Sequence, residues 1–136
     1  VTGPAVMLDH VSITVSDPAR SIPFYQAIMA ALGHPCVWAE ADAAGFGERA
    51  DGSHRARSYL TVRAGFAGAP DRRHWAFKAE TRAAVRACHA AGLAAGGRCD
   101  GPPGLRPHYH PDYYAAFLLD PDGNRVEAVC HVATGT

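Results

Sequence analysis

A chain of 136 residues is one ordinary domain or two small fused modules, long enough to bury roughly two-thirds of its unfolded surface. Its 13 basic residues balance 13 acidic ones and 48% of it is hydrophobic, so no global charge draws it to nucleic acid or to an anionic membrane. The partner expected is a small molecule.

Nothing in the chain reads as a signal peptide or as an apolar stretch of spanning length, and Val1 to Val6 read as a loose leader before Met7. Cys36, Cys88, Cys99 and Cys130 form no CxxC pair and no regular spacing, which points to reduced thiols, used as small buried hydrophobes, in a cytoplasmic protein.

The first predicted element is a strand over Met7 to Asp17. Val11, Ile13 and Val15 alternate with His10, Ser12 and Thr14, so one face is oily and the other carries an imidazole among small polar groups. Ser16-Asp17-Pro18 then reads as a helix start, with Asp17 as cap and Pro18 at the first helical position. Ile22, Phe24, Tyr25, Ile28, Met29 and Leu32 give the apolar stripe, and Gly33 is the stop. Pro23 is tolerable only in a first turn, which makes Ser21 an alternative cap. Three short strands follow, around Cys36-Val37-Trp38, Ala44 to Gly47 and Tyr59 to Val62, with a turn at Ala50 to Ser53 before the last. Gly65 to Asp71 is a linker.

The plan then repeats. His74-Trp75-Ala76-Phe77-Lys78-Ala79 has the alternation of the first strand, with His74 in the place of His10. Thr81 caps a short alanine-rich helix that Gly92 is expected to end. Gly96 to Pro107 holds only a brief strand near Arg98 and Cys99. Tyr113 to Leu119 and Arg125 to Val132 flank Asp120-Pro121-Asp122-Gly123-Asn124, a hairpin turn in which Pro presets one dihedral and Gly-Asn accepts positive φ.

The His10 strand, the helix with Phe24-Tyr25 and Leu32-Gly33, the His74-Trp75-Ala76-Phe77 strand and the segment Leu119 to Glu127 together resemble the vicinal oxygen chelate superfamily, which holds glyoxalase I, bleomycin-binding proteins, fosfomycin-resistance thiol transferases and extradiol dioxygenases. The resemblance implies an α+β fold of two βαβββ modules, about 7–64 and 72–132, whose curved mixed sheets surround a cleft. It also implies metal ligands at His10, His74 and Glu127 and a homodimer whose cleft is built within one chain or shared between two.

The chemistry of these residues agrees. Glu127 alternates with Val126 and Ala128 and so points away from the oily face, as the two histidines do. Two imidazoles and one carboxylate leave coordination positions open for substrate on a divalent ion, whether Fe, Mn, Zn, Ni or Co. Glyoxalase I has a further carboxylate on the last strand of its first module; Arg57 to Arg63 offers none, and Tyr59 is expected in that position as a substrate contact. That argues against a glutathione-dependent isomerase. In the loop Arg106 to Tyr114, His108 and Tyr113 are candidate proton donors or acceptors and His110 a candidate substrate contact. The function expected is that of a metal-dependent enzyme gripping two adjacent oxygens of a small molecule, as isomerase or lyase, ring-cleaving dioxygenase or thiol transferase. The alternative is a metal-free drug-binding protein of the bleomycin-resistance kind.

Overall fold

The computed structural model describes residues 7–66, 68, 71 and 73–133, so the expected leader and part of the expected linker lie outside the described residues. In chain order the elements are β1 (His10–Val15), α1 (Pro18–Ala31), β2 (Cys36–Ala39), β3 (Ala43–Gly47), β4 (Tyr59–Ala64), β5 (His74–Lys78), α2 (Arg82–Ala94), β6 (Arg98–Leu105), β7 (Tyr114–Leu119) and β8 (Arg125–Cys130). They form two four-stranded sheets, β1-β4-β3-β2 and β5-β8-β7-β6. In each, the first strand runs parallel to the last, and the other neighbours are antiparallel. This is the repeated βαβββ plan of an α+β fold. Among the described residues no helix is long and apolar enough to cross a membrane.

The period-two reading of β1 holds: Ile13 and Val15 are buried while His10, Ser12 and Thr14 are exposed. The oily side is covered by helices. α1 and α2 pack on each other, and Phe24, Tyr25 and Ile28 of the first join Val85 and Cys88 of the second in one core with Leu118 and Val126.

Helix boundaries show where local signals were overruled. Pro18 does begin α1, but the Asp17 carboxylate makes no capping bond; its backbone carbonyl instead accepts Arg20 N at 3.1 Å and Ser21 N at 2.9 Å. Pro23 therefore lies inside the helix, beyond the first turn. Thr81 caps α2 as expected, its Oγ1 accepting Ala84 N at 3.0 Å. Gly92 does not end α2, which runs on to Ala94. A Cβ at Gly92 would come within 2.5 Å of Leu118 and 3.1 Å of Ile28, so this glycine lets the two helices and β7 approach.

Three further expectations are corrected. The brief strand near Arg98 and Cys99 is eight residues long, irregular between Cys99 and Gly104, and it tolerates Pro102 and Pro103 because β6 is an edge strand. Only Gly123 of the hairpin turn has positive φ. Cys88 and Cys130 are buried, but Cys36 and Cys99 are exposed; all four are free thiols.

The hairpin turn ties the two halves together. Asp122 reaches the end of β1, where its Oδ2 accepts Ser16 N at 2.7 Å and its Oδ1 accepts the Ser16 hydroxyl. Asn124 Nδ2 donates to Thr14 O at 3.2 Å. Beneath them Asp120, only 1% exposed, accepts the buried Tyr25 hydroxyl at 2.6 Å.

Candidate functional site

Pairing register decides which side chains share a face. On the second sheet His74 pairs with Arg125 and Ala76 with Glu127, so His74, Arg125 and Glu127 project from the side opposite the core residues Val126 and Ala128. Phe117, opposite Glu127 on β7, continues this face. With Tyr109 and Tyr113 from the loop after β6, these residues line a cavity of about 560 Å³.

Glu127 is the centre of that cavity. It is 4% exposed, yet among the described residues no lysine or arginine neutralises it. Its Oε1 lies 3.4 Å from His74 Nε2, and its Oε2 accepts the Tyr113 hydroxyl. Burial above all, then the hydrogen bond to Glu127 and its charge, hold the Tyr113 phenol above its ordinary range; Arg106 opposes this weakly. Tyr113 therefore keeps its proton. Arg125 also lines the cavity, and Asp100 holds it at 2.7 Å.

His10 belongs to a different cavity. It lines a larger groove of about 630 Å³ with Leu32, Phe46, Tyr59, Trp75 and Phe77. Its Nδ1 donates to Asp9 Oδ2 at 2.8 Å, which leaves Nε2 as the ring nitrogen without a protein partner among the described residues. The structure thus brings together His74 and Glu127 but not His10. Among the described residues, no three His, Cys, Asp or Glu side chains are grouped to hold a metal ion.

Of the loop candidates, Tyr113 is in the site and the two histidines are not. His108 packs on Tyr109, with ring centroids 4.3 Å apart. His110 has both ring nitrogens engaged: Nδ1 accepts Asp112 N at 3.1 Å, so Nε2 carries the proton and donates to His131 Nδ1 at 2.9 Å. His131, which the alternation did not single out, is thereby part of the wall behind Tyr113, at a ring distance of 5.4 Å. Only three-dimensional proximity reveals it.

Register also corrects the place given to Tyr59. His10 pairs with Tyr59 on the first sheet, whereas the residue related to Glu127 by the repeat is Thr61, opposite Ser12. Tyr59 is 6% exposed, and its hydroxyl accepts Trp38 Nε1–H and, at 3.3 Å, Arg49 Nη2–H.

A family model described as the Glyoxalase/Bleomycin resistance protein/Dioxygenase superfamily matches residues 7–128. Among solved structures the chain is similar to a glyoxalase/bleomycin resistance protein from Albidiferax ferrireducens T118, with 31% identity over 93% of this chain and 100% of that one and a TM-score of 0.75. It shares its fold with a glyoxalase-related enzyme from Fulvimarina pelagi, at 17% identity, 91% and 87% coverage and a TM-score of 0.66. The same holds for a glyoxalase/bleomycin resistance protein/dioxygenase family enzyme from Burkholderia phytofirmans PsJN, at 20% identity, 93% and 100% coverage and a TM-score of 0.63. No curated protein matches the sequence.

Proposed function

Because the chain belongs to the Glyoxalase/Bleomycin resistance protein/Dioxygenase superfamily, we propose that it is a metal-dependent enzyme acting on a small molecule with two adjacent oxygens. The observation that carries this reading is Glu127, a buried carboxylate with no lysine or arginine partner among the described residues and an imidazole beside it. Such a group favours a cation. His74 and Glu127 would hold the ion, and the third ligand fits as His10, whose Nε2 is the kind of donor that a carboxylate-oriented histidine offers.

Since His10 opens on a different cavity, the ligand set is complete only if His10 comes from a second copy of the chain. The proposed enzyme is therefore a homodimer with shared sites, working without nucleic acid or membrane. A bound divalent ion of the Fe, Mn, Zn, Ni or Co class would supply Lewis acidity toward the two substrate oxygens. The chain's own contribution is proton control. Tyr113 keeps its phenolic proton against Glu127 Oε2 and is placed to present it to a substrate oxygen, while Phe117 and Tyr109 line the same cavity.

The test is complementation read by metal content and mass. Purified His10→Ala and Glu127→Ala proteins should each lose stoichiometric metal and remain folded dimers by light scattering. In a mixed dimer of the two variants, one shared site carries both lesions and the other none, so metal should return to about half of the wild-type content. No recovery in verified mixed dimers, or a monomeric mass at micromolar concentration, would overturn the shared site. Wild-type protein without stoichiometric metal after loading would replace the enzymatic reading by the metal-free drug-binding one.

A further inference from the structure

The polar face of the first sheet carries an arrangement that the ligand residues do not explain. Register sets His10 beside Tyr59, then Ser12, Thr61 and Gly45 in the next row with Trp38 opposite Gly45, and Thr14 with Arg63 in the third. All of these project from the side that carries His10. A Cβ at Gly45 would collide with the Tyr59 hydroxyl and the Trp38 ring nitrogen, so its absence lets the two rings settle on the strand as a floor.

Two guanidinium groups lie over that floor. Arg49 stands 4.2 Å from the centroid of the Tyr59 ring and Arg63 stands 6.0 Å from that of Trp38. Neither has a carboxylate within 4.0 Å among the described residues, whereas nearby Arg57 is paired with Glu48 at 2.8 Å. The Tyr59 hydroxyl already accepts from Trp38 and from Arg49, and among the described residues its own proton has no acceptor. The surface thus presents two guanidinium groups, without a carboxylate partner among the described residues, on an aromatic base.

We propose that the Trp38–Tyr59 floor with Arg49 and Arg63 binds the anionic end of the substrate, a planar organic carboxylate such as an aryl or enolic acid. A carboxylate offers oxygen acceptors to the guanidinium groups, and a flat group attached to it packs against the half-buried Trp38 ring. An inorganic anion would satisfy the charge but leave the rings uncovered. This assignment of substrate class rests on the reading of the polar faces as a small-molecule site given above, but it does not rest on the ion.

The probe is benzoate, with benzamide as its neutral isostere. In the Trp75→Phe variant Trp38 is the only tryptophan left of two, so its emission reports occupancy of this floor. Benzoate should change Trp38 emission saturably and bind at least about tenfold more tightly than benzamide, as a charge-assisted contact requires. Arg49→Gln and Arg63→Gln should each weaken benzoate about tenfold, and the double variant should bind benzoate and benzamide alike. Protein stripped of metal by a chelator should keep benzoate affinity within about twofold, since the floor does not rest on the ion. That arm separates the two proposals: saturable benzoate binding by protein shown to hold no metal is expected even if the metal reading fails. No saturable response, equal binding of the two probes by the parent, or an unchanged preference in the double arginine variant would overturn the assignment whatever the metal content.

Discussion

Replacing Asp120 tests whether the hairpin turn is what fixes one half of the molecule on the other. Its Oδ1 accepts two turn amides, Asp122 N at 2.9 Å and Asn124 N at 2.8 Å. Its Oδ2 accepts Asn124 Nδ2 at 2.8 Å and the Tyr25 hydroxyl at 2.6 Å. Asp120→Ala removes all four and strands a phenol that is 0% exposed. A buried donor left without a partner costs about 1–3 kcal/mol, and losing the charge-assisted turn bonds adds about 1.5–3 kcal/mol, so a total of about 2.5–6 kcal/mol is expected. Asp120→Asn keeps the turn amides satisfied through one oxygen but points an amide N–H at Asn124 Nδ2, and should cost about 2–3 kcal/mol. Tyr25→Phe removes the stranded group, so in that background either Asp120 substitution should cost about 1–2 kcal/mol less. Urea unfolding with unchanged m-value gives these differences, and melting temperature should fall by about 3–5 °C per kcal/mol for a chain of this size. A loss below about 1 kcal/mol for Asp120→Ala, or additive costs with Tyr25→Phe, would show that the clamp is not what docks the halves.

Gly92→Ala should destabilise by about 1–2 kcal/mol, because crowding Leu118 and Ile28 outweighs the helix-propensity gain of up to about 1 kcal/mol; a stabilised variant in urea unfolding would contradict the packing role. Stability should also fall in alkali. Burial pushes the Cys88 thiol up to about 12, so the folded state holds a proton that the unfolded chain releases above about pH 9. The contribution is intact below that pH and is lost as pH climbs toward the folded value, by about 2 kcal/mol between pH 9 and 10.5. Tyr25, held above its ordinary range by burial and then by Asp120, steepens the fall above about pH 10. Cys88→Ala should flatten the decline in urea-unfolding measurements taken across this range, and a stability that rises with pH would refute the assignment.

Much of the fold was legible because it rests on short periods and on turn chemistry. His10 and His74 were assigned outward from alternation alone, and their side chains are 62% and 51% exposed. Thr81, Gly33 and the Asp120 to Asn124 turn act locally, and local chemistry is what a sequence states. Gly92 was misread because a glycine late in a helix has two physical uses, as a stop and as a gap for a neighbouring helix. Only knowledge of what packs against it separates them. Pro102 and Pro103 misled for a related reason: a proline forbids a central strand and tolerates an edge one, and edge position is a property of the sheet.

The candidate site was legible as a set of faces and not as a set of neighbours. Alternation says that Glu127 and His74 leave the oily side, and parallel pairing of β5 with β8 then sets them 3.4 Å apart. No comparable rule links His10 to them, because β1 and β5 are edge strands of different sheets and no ladder joins them. Their relation depends on how α1 packs on α2, a contact between apolar side chains that alternation of polar residues does not encode. The same gap hid His131, which lies past the end of β8 and gains a role only through His110. Conversely, Tyr59 was noticed for a position that register gives to Thr61, yet the contacts it makes with Trp38 and Arg49 give it a stronger claim on ligand than that position would. A repeat therefore transmits strand orientation faithfully from one module to the other, while the chemistry of each polar face diverges. In this chain one face carries a buried carboxylate beside an imidazole, and the other carries two arginines without a carboxylate partner among the described residues. On the two proposals together, a single ligand joining the faces would have to present its chelating oxygens at one end and its charge at the other, a narrower class than either face defines alone.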